Sequence, residues 1–178
     1  MFKSERFEDR PFKPVSIFVM AISDTRTLET DTSGALLEQM ITEAGHICVE
    51  RTVVTDNIYQ IRERVVGLVA HPDLDVIITT GGTGFTGRDV TPEAIEPILN
   101  KRMDGFSVLF HQYSATKIGT STVQSRALAG LIGKTFIFCL PGSSGAVRDA
   151  WEGIIRDQLD YRHKPCNFVE LMPRLLER

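Results

Sequence analysis

The stretch VIITTGGTGFTGRDVTPEA, residues 76–94, decides how the chain is read. Val76 to Thr79 is an apolar, β-branched run of strand length. Four glycines then fall within seven residues, at Gly81, Gly82, Gly84 and Gly87, so the backbone can approach a ligand without side chains in the way. A helix start follows: Thr91 has the chemistry of an N-cap, Pro92 suits the first helical position, and Glu93 sits near the positive end of the helix dipole. Strand, glycine turn and helix, in that order, form the repeating unit of a parallel sheet with helices on its faces.

The same alternation continues in both directions. Toward the N-terminus, Val15 to Ala21 (VSIFVMA) lacks polar alternation, as a strand buried on both sides does. Leu36, Leu37, Met40, Ile41 and Ala44 have helical spacing and Gly45 is a natural stop. Ile47 to Val54 predicts a second strand, and Asp56 or Asn57 can cap a helix whose apolar stripe is Ile58, Ile61, Val65, Leu68 and Val69. Toward the C-terminus, Gly105 to Leu131 reads as mostly helical with a break at Ile118-Gly119-Thr120, Thr135 to Leu140 as a buried strand, and Val147 to Ile155 as a helix with Trp151 on its core face. The expected fold is α/β, a three-layer α/β/α sandwich around a mostly parallel sheet. Residues 1–14 are expected as a flexible lead, 15–178 as a single domain, and the polar tail from Arg162 as a wrap over the surface or a neighbouring subunit.

Composition narrows the function. A chain of 178 residues with 42% apolar and 24% charged side chains has enough apolar side chains for one core, which sets disorder and collagen-like repeats aside. Its net charge of −3 gives no footprint for nucleic acid or an anionic membrane. No apolar run reaches the roughly 18 residues that cross a bilayer, and Met1 to Pro14 is polar, so a cytoplasmic protein with a small-molecule partner is expected. Cys48, Cys139 and Cys166 are too scattered for a disulfide framework, and Cys139 reads as a buried apolar side chain. His46, His71, His111 and His163 lack zinc-site spacing and read mostly as surface or cap residues.

In a parallel sheet the residues just after each strand meet on one edge. Four such segments carry polar or glycine chemistry: Ser23-Asp24-Thr25-Arg26, Thr55-Asp56-Asn57, the glycine loop with Arg88-Asp89, and Pro141-Gly142-Ser143-Ser144. Each alone is an ordinary polar turn; together they point to a ligand cleft. The glycine loop suits an anion such as phosphate. Gly82, Gly84 and Gly87 match G-x-G-x-x-G, but the helix does not open within the glycines and no acidic strand end follows at the required distance, so a dinucleotide fold is rejected; a Gly-Lys-Ser/Thr ending is also missing. Asp56 and Asp89, both beyond strand ends, are placed to hold Mg2+ beside a polyphosphate. The plainer readings are a helix cap for Asp56, and a salt bridge to Arg88 or a bond within its loop for Asp89.

Taken together, Ser23-Asp24, Asp31-Thr32-Ser33-Gly34, the blocks TTGGTG (79–84) and RDVTPEA (88–94), and Leu140-Pro141-Gly142-Ser143 resemble the molybdopterin-binding family of molybdenum cofactor biosynthesis, from about Val15 to Phe168. Gly119 to Thr122, Gln124 to Ala127 and Lys164 to Phe168 are similar to its protein B branch rather than to the Mog-type enzymes. The resemblance implies a three-layer fold, self-association as a trimer or hexamer, and adenylylation of the terminal phosphate of molybdopterin by Mg-ATP. It implies Asp56 and Asp89 as the catalytic and metal-holding pair. Substrate binding is then expected from Ser23, Asp24, Gly81, Gly82, Thr83, Gly84, Arg88, Pro141, Gly142, Ser143 and Ser144. Where Mog-type enzymes carry Asn-Leu-Pro-Gly-Asn-Pro, this chain has Cys139 to Ser144, CLPGSS, which keeps open a non-catalytic carrier of molybdopterin.

Overall fold

Strands that are apolar on every residue must be covered on both faces, and this dictates the layering. The computed structural model describes residues 5–177. In chain order its elements are β1 (Glu5–Arg6), β2 (Ser16–Ile22), α1 (Thr32–Glu43), β3 (Ile47–Val54), α2 (Ile58–Val69), β4 (Val76–Thr80), α3 (Thr91–Ile95), β5 (Lys101–Arg102) and α4 (Asp104–Ile118). There follow β6 (Leu128–Ile132), β7 (Thr135–Leu140), α5 (Ser144–Ala150), α6 (Arg156–Gln158), β8 (His163–Lys164) and α7 (Phe168–Leu171). A π-helical turn, Trp151–Ile155, joins α5 to α6.

The main sheet has the order β3-β2-β4-β7-β6-β5, and its first four strands are parallel. Ile17, Val19, Val76, Ile78, Phe136 and Phe138 face one way, into a core with α1, α4, α5 and the π turn. Phe18, Met20, Ile77, Ile137 and Cys139 face the other, against α2 and α3. The result is the expected three-layer α/β/α architecture. From β2 the chain passes first to β3 on one side, then to β4 on the other, so the strand order reverses there and leaves a crevice beyond the carboxyl ends of the strands.

Several expectations are corrected. Leu128 to Leu131 is not helical: Leu128–Ile132 is an antiparallel strand paired with β7, with Ile132 opposite Thr135 across Gly133-Lys134. Thr91 is the first residue of α3 rather than its cap; Val90 occupies the cap position without a side-chain bond. His46 is buried rather than at the surface, its ring 5.0 Å from Phe12 and 6.1 Å from Trp151, and burial pushes its pKa down to about 4. The tail turns back on its own core, where Phe168 lies 4.7 Å from Phe136 and Val169 is buried. Within the lead read as flexible, Glu5 and Arg6 pair with Lys164 and His163, and the Phe7 N–H donates to the Arg162 carbonyl at 2.6 Å; Met1 to Ser4 lie outside the described residues. Among the described residues no helix is long and apolar enough to cross a membrane.

Candidate functional site

Beyond the ends of β2, β3 and β4 lies a cleft of about 210 Å³ lined by Ser23, Asp24, Asp56, Gly82, Thr86, Arg88 and Asp89, among others. A second cleft of about 140 Å³ shares Ile22 and Ser23 with it and adds Arg26, Asp31, Ser33, Gly81 and Gly142. Together they have the size of a small-molecule site, which runs from roughly 300 Å³ upward. Three of the four strand-end segments thus line the first cleft, and the fourth reaches the second through Gly142.

Local chemistry frees Asp56 for this cleft. Asn57, not Asp56, caps α2, its Oδ1 accepting from the N–H groups of Tyr59 at 3.0 Å and Gln60 at 3.1 Å. Asp56 is instead locked to Asp24 reciprocally: the Asp24 N–H donates to Asp56 Oδ2 at 3.1 Å, and the Asp56 N–H donates to Asp24 Oδ1 at 3.0 Å. Burial, then the nearby charge of Asp24, raises the Asp56 pKa; Asp89 raises it further, while the Asp24 N–H and the Arg88 charge oppose the rise. Asp89 shows the opposite balance. Burial would raise its pKa, but bonds from the Thr86 hydroxyl (2.6 Å) and N–H (2.8 Å) outweigh it, helped by the Gly84 N–H and the Arg126 charge, so the carboxyl titrates below its ordinary range.

The glycine turn is held from behind. Gly81 and Gly82 have φ of +108° and +64°, the left-handed region that glycine tolerates. The Thr91 hydroxyl donates to the Gly81 carbonyl and the Thr91 N–H to the Gly82 carbonyl, both at 2.9 Å, which is where the side chain expected as a helix cap is engaged. Ser23 Oγ accepts from the N–H groups of Thr25 and Arg26, each at 3.2 Å, and so shapes its own turn.

Not every expected residue reaches the clefts. Thr83 is 2% exposed and its carbonyl accepts from the Arg126 N–H at 3.0 Å; Gly84 likewise faces Arg126. Pro141, Ser143 and Ser144 lie outside both linings, and Ser143 caps α5 by accepting from the Ala146 N–H at 3.2 Å. Arg126, Thr86 and Ser33, absent from the expected set, belong to the site or its support. Cys139 is fully buried with its thiol pushed up to about 12, as an apolar core residue.

The donor set suits a magnesium ion. Among the described residues no three His, Cys, Asp or Glu side chains gather as a metal cage. Magnesium, however, uses one or two carboxylates and completes its shell with phosphate and water. The carboxylates of Asp24, Asp56 and Asp89 leave acidic charge in the cleft that a cation would offset.

Comparison with known proteins shows the family. Residues 18–161 match the family described as "Probable molybdopterin binding domain". The chain is 46% identical to molybdenum cofactor biosynthesis protein B of Escherichia coli (strain K12) over 157 residues, 88% of this chain and 92% of that one. It is 44% identical to the protein of the same name from Bacillus anthracis, over 84% of this chain and 89% of that one. A crystal structure of molybdenum cofactor biosynthesis protein B superposes with a TM-score of 0.85 at 39% identity, covering 95% of this chain and all of that one. The tungsten cofactor synthesizing protein MoaB from Pyrococcus furiosus superposes with a TM-score of 0.72 at 32% identity, covering 80% and 91%.

Proposed function

Because the chain belongs to the molybdopterin-binding family of molybdenum cofactor biosynthesis, we propose that it adenylylates the terminal phosphate of molybdopterin with Mg-ATP, in the cytoplasm and as a trimer or hexamer. The observation that carries this reading is the meeting of Asp56 and Asp89, from different strand ends, in one cleft with Arg88 and the glycine turn. In the reaction an oxygen of the molybdopterin phosphate attacks the α-phosphorus of ATP. The bond from that phosphorus to the bridging oxygen breaks, and pyrophosphate leaves with the electron pair. Such chemistry needs alignment and charge neutralisation rather than a protein nucleophile.

Asp56 and Asp89 are the residues that would hold magnesium, which supplies charge neutralisation for the phosphates when bound. The bonds from Thr86 hold the Asp89 carboxyl below its ordinary titration range, and the bond from the Asp24 N–H orients Asp56. Arg88 provides a cation at the same wall. The test is pyrophosphate release from ATP in the presence of molybdopterin. Release by the unaltered protein, reduced by about 100-fold or more in Asp89→Asn, is expected for a carboxylate that would hold the charge-neutralising ion; undiminished release in the variant sinks the assignment.

A second reading, a carrier that holds molybdopterin without turnover, has one observation in its favour. Ser143 is occupied as a helix cap and the CLPGSS block contributes only Gly142 to the clefts. A carrier binds molybdopterin equally well with and without ATP and magnesium, so titration under both conditions separates the two.

A further inference from the structure

Arg126 stands outside both clefts, yet it is the side chain on which the loop carrying Asp89 is built. Its Nε donates to the Gly84 carbonyl at 2.9 Å and lies 3.3 Å from that of Thr83; its Nη2 donates to the Asp89 carbonyl at 2.9 Å. Nη1 pairs with the Glu93 carboxylate, and the Arg126 N–H reaches the Thr83 carbonyl at 3.0 Å. The guanidinium carbon also lies 5.3 Å from the centre of the Phe85 ring, so the group is gripped on its face as well as on its edge.

None of the three carbonyls belongs to a helix or strand. The loop's own bonds, Thr86 to Asp89 and back, close only its tip. Arg126 ties the two ends of that tip, Gly84 and Asp89, to each other and to the approach of β6. Around Gly87 nothing lies within 4 Å of where a Cβ would sit, so the tip has little packing of its own. A planar fork with donors in fixed directions can serve several carbonyls at once, whereas a lysine ammonium on a flexible stem cannot hold that geometry.

We propose that Arg126 is a positioning residue of this site: by bridging the carbonyls of Gly84 and Asp89 it fixes where the Asp89 carboxylate stands in the cleft opposite Asp56. The inference rests on the adenylyl-transfer reading for its consequence in turnover, but not for its structural content.

Arg126→Lys keeps the charge and loses the fork, and Arg126→Gln loses both. In the full chain, amide hydrogen exchange at residues 84–89 is expected to speed up by about tenfold or more in both variants, while the amides of β2 and β4 stay protected. In turnover, Arg126→Lys is expected to lower kcat by about tenfold, and to lower it no further in an Asp89→Asn background, because a residue that acts through Asp89 has no effect once that carboxylate is gone. Losses that multiply in the double variant, or unchanged exchange at 84–89, overturn the proposal. If the unaltered protein releases no pyrophosphate, the adenylyl-transfer reading fails alone, since the exchange measurement needs no turnover and still decides the role of Arg126.

Discussion

Asp56 and Asp89 share a cleft but hold their protons on different terms. Asp56 has a raised pKa, chiefly from burial and then from the charge of Asp24, so its ionised form costs the fold stability above that pKa, and the cost disappears as pH falls through it. Asp89 has a lowered pKa because the bonds from Thr86 outweigh burial; it contributes stability at pH above the unfolded value and loses it as pH falls through the folded one. Carboxyl-carbon titration by NMR is therefore expected to place Asp56 above and Asp89 below the ordinary aspartate value of about 3.9. The reverse order would overturn this balance of burial, charge and hydrogen bonding in the cleft. Replacing Asp89 with Asn is expected to bring the Asp56 midpoint down, and Arg88→Ala to push it up, since these two charges act on it with opposite sign. Asp56→Asn keeps an acceptor for the Asp24 N–H and removes the charge. Its melting temperature at neutral pH is expected to hold or rise, by less than about 4 °C since the site is partly screened, while pyrophosphate release is lost. Lower stability in that variant would mean that Asp56 is structural.

At the scale of the element, the turn after β4 depends on two glycines for different reasons. A Cβ on Gly81 would meet the Ile22 carbonyl oxygen at 2.2 Å, a backbone atom that cannot rotate away, and its φ is +108°. A Cβ on Gly82 would meet Thr91 Oγ1 at 2.4 Å and Asp56 Oδ1 at 2.9 Å, both side chains of the site. Gly81→Ala is thus expected to destabilise the protein by about 1–3 kcal/mol in chemical denaturation. Gly82→Ala is expected to cost less stability but to weaken molybdopterin binding more; equal effects on both quantities would remove the distinction. Much of this was legible in the sequence, because buried parallel strands announce themselves by unbroken apolar runs and the sheet then gathers their ends whatever their separation. What failed to show has tertiary causes. Ala127 to Ile132 is rich in residues that favour helix, and only pairing with β7 makes it a strand; the Gly-Lys pair before Thr135 was the available signal of a two-residue hairpin. Thr91 has a cap's chemistry but finds a nearer acceptor in the Gly81 carbonyl. The choice between Asp56 and Asn57 as cap was open until Asn57 took it. Arg126 lies 37 to 43 residues from the carbonyls it serves, and no spacing rule connects an arginine to loop carbonyls at that distance.

Across the whole molecule, polar chemistry gathers at the carboxyl edge of the sheet, while an apolar surface lies beside α4. Its Val108 is 55% and its Leu109 37% exposed, and Leu109 borders a cavity of about 360 Å³ with Met103, Phe106, Ile154 and Phe168. Near the other end of the same helix Ile118 and Val123 are exposed as well. An exposed apolar group such as Leu109 at the rim of a concave, mostly apolar lining marks a surface that another protein surface covers, and a homo-oligomer uses one such patch on every copy. The proposed trimer or hexamer is therefore expected to bury this face and leave both clefts open. Leu109→Glu and Val108→Glu place a charge there, and neither residue is in the set that lines the clefts. Light scattering on the eluting peak is expected to show a trimer or hexamer for the unaltered chain and a smaller species for each variant, because an interface with a buried unpaired charge loses several kcal/mol per contact, roughly 3–5 when no partner is available. Circular dichroism separates this from unfolding, since neither side chain is among the buried core. An unchanged oligomer with either glutamate in place would move the interface elsewhere on the surface, and a monomeric unaltered chain would end the proposal that assembly belongs to its function.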